Sequence, residues 1–219
     1  MLRPLSHRAL TGTTTGTLAR VSEDHYFTAQ PASADERRRI LVQLAGRDVE
    51  VETASGIFSP GHVDLGTQVL LRHLPPAPAG ELLDLGCGWG PLALAAAMGM
   101  ADARVTAVDV NRRALDLAAR NAARLGVADR VAALEPGEVP EDLQFDAIWS
   151  NPPIRIGKEA LHALLTAWLP RLAPGGEAWL VVQKNLGADS LARWIGDQGW
   201  GTVEKVGSAK GFRVLRLPR

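Results

Sequence analysis

Apolar and polar residues alternate from Arg39 to Thr53, with Ile40, Val42 and Leu44 and then Val49 and Val51 on one side, broken at Ala45-Gly46-Arg47. Period-two alternation around a short glycine-bearing break predicts a β-hairpin. The period then lengthens: Val63, Gly66/Thr67, Leu70, Leu71 and Leu74 share one face of a helix that stops at Pro75-Pro76. From Glu81 the chain reads strand, helix, strand, helix, with strands at 81–85, 104–109, 130–134, 144–149 and 177–183. Helices fall at 91–99, 112–125, 158–172 and 188–198, the third carrying Leu161, Leu164, Leu165, Trp168, Leu169 and Leu172 on one face before Pro174-Gly175-Gly176. Segments 201–206 and 212–217, around Ser208-Ala209-Lys210-Gly211, predict a closing antiparallel hairpin. The order implies an α/β, Rossmann-like architecture: a mostly parallel doubly wound sheet with a C-terminal antiparallel hairpin, preceded by a small β-hairpin and helix.

A length of 219 residues suits one domain, and the Pro/Ala/Gly stretch at 75–80 is too short to separate two. The expected division is a flexible basic tail at 1–22 and a single domain at 23–219, with hairpin and helix in 23–75 and the Rossmann-like core in 76–219. The lone Cys87 excludes an internal disulfide framework and any zinc cluster built on cysteine pairs. No apolar run is long enough to span a bilayer and no signal-peptide core precedes the tail, so a cytoplasmic protein is expected, without membrane contact. His62, His73 and His162 lack metal-ligand spacing, and no metal is expected. The net charge is zero, but both ends are basic: three arginines and no acid in 1–22, five bases and no acid in 205–219. A neutral total therefore leaves room for a local phosphate-binding face.

The segment Leu82-Leu83-Asp84-Leu85-Gly86-Cys87-Gly88-Trp89-Gly90-Pro91 is a buried strand entering a glycine loop and then a helix. Gly86, Gly88 and Gly90 let the backbone turn sharply against a ligand, and Pro91 suits a first helical position. Asp109 ends the next strand, where its carboxylate reaches the same crevice and can accept from a ribose diol. A dinucleotide would use a related crevice, but its fingerprint wants a glycine where Pro91 stands, and Asp84 would repel a pyrophosphate. S-adenosylmethionine has no phosphate and carries a sulfonium and an ammonium, both favoured by a carboxylate. Cys87 has no placed base and reads as a small residue beneath the cofactor, not as a nucleophile.

The second segment, Phe145-Asp146-Ala147-Ile148-Trp149-Ser150-Asn151-Pro152-Pro153-Ile154, is a strand ending in Asn-Pro-Pro. Two prolines remove backbone donors, so the stretch offers carbonyl oxygens and the Asn151 carboxamide. Two acceptors can hold the hydrogens of a conjugated amine and aim its lone pair at a donor methyl. Taken alone, Asn-Pro is also a common turn start.

With these residues in hand the chain resembles the small-subunit ribosomal RNA guanine-N2 methyltransferases, specifically their short one-domain members. The resemblance begins at His25-Tyr26-Phe27 and runs through Gly56-Ile57-Phe58-Ser59, Asp64, Gly66-Thr67 and Leu70-Leu71. It continues through Asp84 to Gly90, Asp109, Ser150 to Pro153, Pro174-Gly175-Gly176 and Lys210-Gly211-Phe212. It implies a class I methyltransferase fold using S-adenosylmethionine and leaving S-adenosylhomocysteine. Phe58 and Ser59 would cover the cofactor, Asp84 and Gly86 would contact its methionine part, and Asp109 would hold its ribose; Cys87, Gly88 and Gly90 of the same loop are also expected to bind the cofactor. Asn151, also beside the cofactor, and Pro152, with Pro153 and Ile154, would hold the target amine. Three departures stand out. Ile154 replaces an aromatic common in the wider group, Pro136-Gly137-Glu138 leaves the adenine contact unassigned, and the second, degenerate half of larger members is missing.

The implied partner is ribosomal RNA or the small ribosomal subunit, met by a monomer. Arg155 and Lys158, beside Asn-Pro-Pro, are the leading substrate contacts, with Arg37-Arg38-Arg39 and the basic C-terminal stretch as further candidates. Two other readings use the same residues: methylation of a glutamine amide on a release factor, and a non-catalytic RNA-binding module that keeps the fold.

Overall fold

A computed structural model describes residues 30–219. The expected tail at 1–22 and His25-Tyr26-Phe27 lie outside the described residues. The alternating segment forms strands β1 (Arg38–Leu44) and β2 (Arg47–Thr53), an antiparallel pair in which Val42 faces Val49. Helix α1 (Leu65–Leu71) follows, shorter at both ends than the 63–74 stripe, because Asp64 caps its N-terminus and the helix ends four residues before Pro75.

Seven strands build the main sheet: β3 (Glu81–Leu85), β4 (Arg104–Val108), β5 (Val131–Leu134), β6 (Phe145–Ser150), β7 (Leu172–Gln183), β8 (Glu204–Ala209) and β9 (Phe212–Pro218). Their order is β5-β4-β3-β6-β7-β9-β8, parallel from β5 to β7 and antiparallel at β9 and β8. Helices α2 (Pro91–Gly99), α3 (Arg112–Arg124), α4 (Lys158–Trp168) and α5 (Ala188–Asp197) complete the crossovers. One apolar cluster packs the hairpin, α2 and α3 on one face, through Val42, Leu44, Val51, Leu94 and Leu117. The other packs α4 and α5 through Leu165, Trp168, Leu191 and Ile195. Both faces of the parallel strands are thereby removed from water, which is why β3 reads as a continuous apolar run interrupted only by Asp84.

Two expected boundaries moved. The helix expected to 172 stops at Trp168, passes through a 3₁₀ turn at Leu169–Arg171, and β7 begins at Leu172 rather than 177. Pro170 lacks the N–H needed to continue the helix. Downstream, Gly175 donates to the Arg219 carbonyl at 3.2 Å and Arg219 donates back to Gly176 at 3.0 Å, so chain pairing claims the residues expected to stop the helix. The closing hairpin is displaced to 204–209 and 212–218, with a register shift between Lys205 and Gly207. Among the described residues no helix is long and apolar enough to cross a membrane.

Strand order reverses between β3 and β6, and ligands of such sheets bind at the carboxyl ends of the strands flanking that point. Leu85 is paired with Val108 on one side and with Ser150 on the other. The next residues, Asp109, Gly86 and Asn151, therefore leave the sheet side by side in one row.

Candidate active site

The glycine loop is pinned to its neighbours by backbone groups. Gly86 and Cys87 donate to the Val108 carbonyl at 2.8 and 2.9 Å, and Gly90 donates to the Cys87 carbonyl at 3.0 Å. Gly86, Gly88 and Gly90 have φ of +76°, +55° and +93°, a region L side chains rarely adopt. A Cβ on Gly86 would stand 3.8 Å from Pro153 Cδ. The glycine loop and the Asn-Pro-Pro loop thus face each other. They open on one cleft, lined among others by Phe58, Asp64, Asp84, Gly86, Cys87 and Asn151.

Asp84 reaches the cleft floor from inside β3. Its Oδ2 accepts from the Ala93 N–H at 2.9 Å, capping α2, whose N-cap Gly90 has no side chain to do so. Its Oδ1 is buried and has no hydrogen-bond partner among the described residues. Burial, and secondarily the charge of Asp109, push the Asp84 carboxyl up to about 7 against the bond from Ala93. A buried carboxylate oxygen with no partner is costly unless a donor or cation meets it. The site residues therefore fit a ligand that brings an ammonium or sulfonium, and do not fit a phosphate.

Asp109 is anchored by both oxygens: Gly88 N–H donates to Oδ2 and Asn111 N–H to Oδ1, each at 2.9 Å. Burial raises its carboxyl above the ordinary value while these backbone bonds oppose the shift. A carboxylate oxygen can accept more than one hydrogen bond, so Asp109 can also accept from a hydroxyl. Cys87 is buried and its thiol is pushed well above the ordinary range by burial and by Asp109 and Asp84, which makes it an inert filler.

The segment before α1 closes the cleft from above. Asn111 donates to the Gly56 carbonyl at 2.9 Å, and buried Arg113 donates to the carbonyls of Gln30 and Ser55 and pairs with Glu36. Ser59, at φ +50°, donates to the His62 carbonyl at 2.9 Å. This leaves Phe58 46% exposed on the cleft wall. Neither Asn111 nor Arg113 was singled out from sequence; the Asn at the end of a strand, opening a helix, was the available cap signal.

Asn151 lies at the other wall. Its Nδ2 donates to Asp64 Oδ2 at 2.9 Å and to Thr67 Oγ1 at 3.1 Å. A carboxylate can only accept, so the amide nitrogen must face Asp64 and Oδ1 is left without a partner among the described residues. Of the proline carbonyls expected as acceptors, Pro152 accepts from Ile154 N–H at 2.8 Å and Pro153 from Ile156 N–H at 3.1 Å. The loop is thereby folded into a 3₁₀ turn, Ile154–Ile156, and Asn151 Oδ1 becomes the principal acceptor. Ile154 is half-buried against the core beneath α4.

Around this edge Arg155, Lys158, Lys184 and Lys210 are exposed and make no ion pair among the described residues. Lys184 N–H donates to the Gly211 carbonyl at 2.8 Å, so the loop after β7 and the β8–β9 turn meet. Exposed Ile156 stands in the Asn-Pro-Pro loop after β6 and exposed Leu186 in the loop after β7. Of the other basic candidates, Arg37 and Arg39 pair with Glu50 and Glu52, Lys205 and Arg213 with Asp189, and Arg216 with Glu177 and Glu204, and Arg219 donates to the Pro170 and Leu172 carbonyls, whereas exposed Arg38 makes no ion pair among the described residues.

A glycine loop over a buried carboxylate, facing an Asn-Pro-Pro loop at the switch point of this sheet, defines a methyltransferase of the Rossmann-like, class I type. The chain belongs to the methyltransferase small domain family, whose model matches residues 48–216. It is 31% identical over 199 residues to the uncharacterized protein YbxB of Bacillus subtilis (strain 168), covering 90% of this chain and 98% of that one. It is 34% identical over 183 residues to the ribosomal RNA small subunit methyltransferase C of Ectopseudomonas mendocina, covering 81% of this chain and 54% of that protein. The chain thus spans about half the length of such ribosomal RNA relatives. The T. thermophilus 16S rRNA N2 G1207 methyltransferase, solved with AdoMet and guanosine, matches with TM-score 0.73 at 24% identity, over 84% of this chain and 50% of that one. That last likeness is one of fold.

Proposed function

We propose that this protein transfers the methyl group of S-adenosylmethionine to the exocyclic N2 amine of a guanine in small-subunit ribosomal RNA. The observation that carries the reading is the placement of Asn151: its carboxamide oxygen, without a partner among the described residues, lines the same cleft as Gly86 and Asp84, whose Oδ1 likewise has none. S-adenosylmethionine supplies an electrophilic methyl on a sulfonium when bound.

Asp84 would receive the ammonium of the methionine part, with the loop Gly86 to Gly90 lying against its chain, and Asp109 would accept from the ribose hydroxyls. Phe58 and Val110, which is 63% exposed directly after Asp109, offer apolar surface to the cofactor. Asn151 Oδ1, assisted by the carbonyls of the Asn-Pro-Pro loop, would accept from the target NH₂ and orient its lone pair. Positioning of this kind is worth up to about 7–11 kcal/mol, and an acceptor dipole aimed at the charge growing on nitrogen adds to it. No general base of shifted acidity is required, because the methylated amine loses its proton readily.

Unpaired Arg155, Lys158, Lys184 and Lys210 around the acceptor side favour a polyanion over a protein glutamine. Exposed Ile156 and Leu186 between them give flanking bases an apolar surface. The names of the ribosomal RNA relatives and of the T. thermophilus enzyme support the same substrate. The test is transfer of labelled methyl from S-adenosylmethionine, offered in parallel to small-subunit ribosomal RNA, small subunits and a release factor. Label in RNA as N2-methylguanosine supports the proposal; label on the release factor alone, or none, contradicts it.

A further inference from the structure

We infer that Asp64 and Thr67 are positioning residues, which lock the Asn151 carboxamide with its oxygen toward the target amine. The inference rests on the reading of Asn151 as the amine's acceptor. A carboxamide has two nearly isosteric orientations, and only one presents an acceptor to the cleft. Both hydrogens of Asn151 Nδ2 are taken, by Asp64 Oδ2 at 2.9 Å and Thr67 Oγ1 at 3.1 Å. In the flipped orientation Oδ1 would meet an oxygen that has nothing to donate.

Asp64 itself cannot swing to accommodate a flip. The same Oδ2 accepts from Gly66 N–H at 2.8 Å and Thr67 N–H at 3.3 Å, so the cap of α1 and the anchor of Asn151 are one atom. Thr67 is buried, which strengthens its bond and excludes competing water. Gly66 permits the approach: a Cβ there would stand 2.9 Å from Phe212 Cε1, 3.0 Å from Asp64 Oδ2 and 3.3 Å from Asn151 Nδ2. The start of α1, the end of β6 and the start of β9 therefore converge on one carboxamide. The Asp-x-Gly-Thr stretch acts as its socket, although 87 and 84 residues separate the two anchors from Asn151.

The experiment measures kcat and KM for labelled methyl transfer from S-adenosylmethionine to an in vitro transcript of small-subunit ribosomal RNA, with single-turnover rates for slow variants. Serine caps helices about as well as aspartate, so Asp64→Ser keeps α1 but withdraws the carboxylate from Asn151. Its kcat should fall roughly 10–100-fold, the scale of a displaced reacting group, with KM for the RNA unchanged. Thr67→Val should lower kcat about 3–10-fold, the loss of one neutral hydrogen bond, and Thr67→Ser should restore it. On an Asn151→Ala background, Asp64→Ser should cost nothing further, since it acts only through Asn151.

Equal losses from Asp64→Ser on both backgrounds, or wild-type kcat in both Asp64→Ser and Thr67→Val, overturn the inference. If those two are unimpaired while Asn151→Ala is crippled, positioning alone is wrong and the acceptor reading stands. A wild-type rate in Asn151→Ala removes both. Should Asp64→Ser fail to fold, the Thr67→Val and Thr67→Ser pair decides.

Discussion

Lowering the pH from 7 to 5.5 should weaken S-adenosylmethionine binding about 16-fold, through one buried carboxyl. In the ligand-free protein Asp84 is held at about 7 by burial, with Oδ2 on Ala93 and Oδ1 on no group of the described residues. A cationic ligand meeting Oδ1 selects the ionised form. With Asp84 ionised throughout in the complex, affinity follows its ionised fraction in the free protein, which is about one half at pH 7 and about 3% at pH 5.5. The window avoids the ligand's own α-amino group, which titrates near 8. Calorimetry across this range in two buffers of different ionisation heat should show both the affinity slope and release of about half a proton per binding event at pH 7. Asp84→Asn should bind weakly and without the slope. The sign for stability is opposite: the unfolded chain releases this proton near 3.8 and the folded one only near 7, so ligand-free stability should fall as pH rises between those values. Denaturant unfolding should then find ligand-free Asp84→Asn more stable than wild type at pH 8. A flat affinity profile in the wild type, or the same slope in Asp84→Asn, would refute the assignment of the cation to Asp84.

Asp109→Ala should weaken cofactor binding by about 1–3 kcal/mol, a lost charge-assisted bond, or roughly 10–100-fold by calorimetry, and it also strips the support of Gly88 N–H. Gly66→Ala should reduce kcat more than cofactor affinity, because its Cβ presses on Phe212 and Asn151; affinity falling in step with kcat would count against that geometry. Neutralising Arg155, Lys158, Lys184 or Lys210 one at a time should weaken RNA binding, each lowering the dependence of log K on log salt by about 0.7–0.9. Substituting Arg39, already paired on the β1–β2 hairpin, should leave that slope unchanged. Cys87→Ala should keep activity, as expected of a buried, inert thiol.

The sheet was legible because each parallel strand is a short apolar run, and the runs at 81–85 and 104–109 match β3 and β4 to within a residue. Helix α2 is apolar all round and shows no amphipathic stripe, so the glycine loop and Pro91 located it rather than periodicity. The start of β7 was hidden because Leu169 and Leu172 continue the α4 stripe, and Pro170 together with the pairing of Gly175 and Gly176 with Arg219 decides against helix. At the site, the residues that leave the sheet in a row, Asp109, Gly86 and Asn151, were visible as strand ends. Their supports were not. The double duty of Asp64 and the bonds of Asn111 and Arg113 to the Gly56 segment join residues distant in sequence. The ion pairs that occupy Arg37 and Arg39 are likewise a matter of strand register, since Glu50 and Glu52 lie on the partner strand of the hairpin.

The decisive measurement is nucleoside mass spectrometry of small-subunit ribosomal RNA after incubation with purified protein and methyl-labelled S-adenosylmethionine, for wild type and Asn151→Ala side by side. Labelled N2-methylguanosine with the wild type, and its loss with Asn151→Ala, is the expected result. Label at another atom, no label in RNA, or equal N2 label from both proteins would contradict a cleft in which Asn151 presents a guanine amine to the donor methyl.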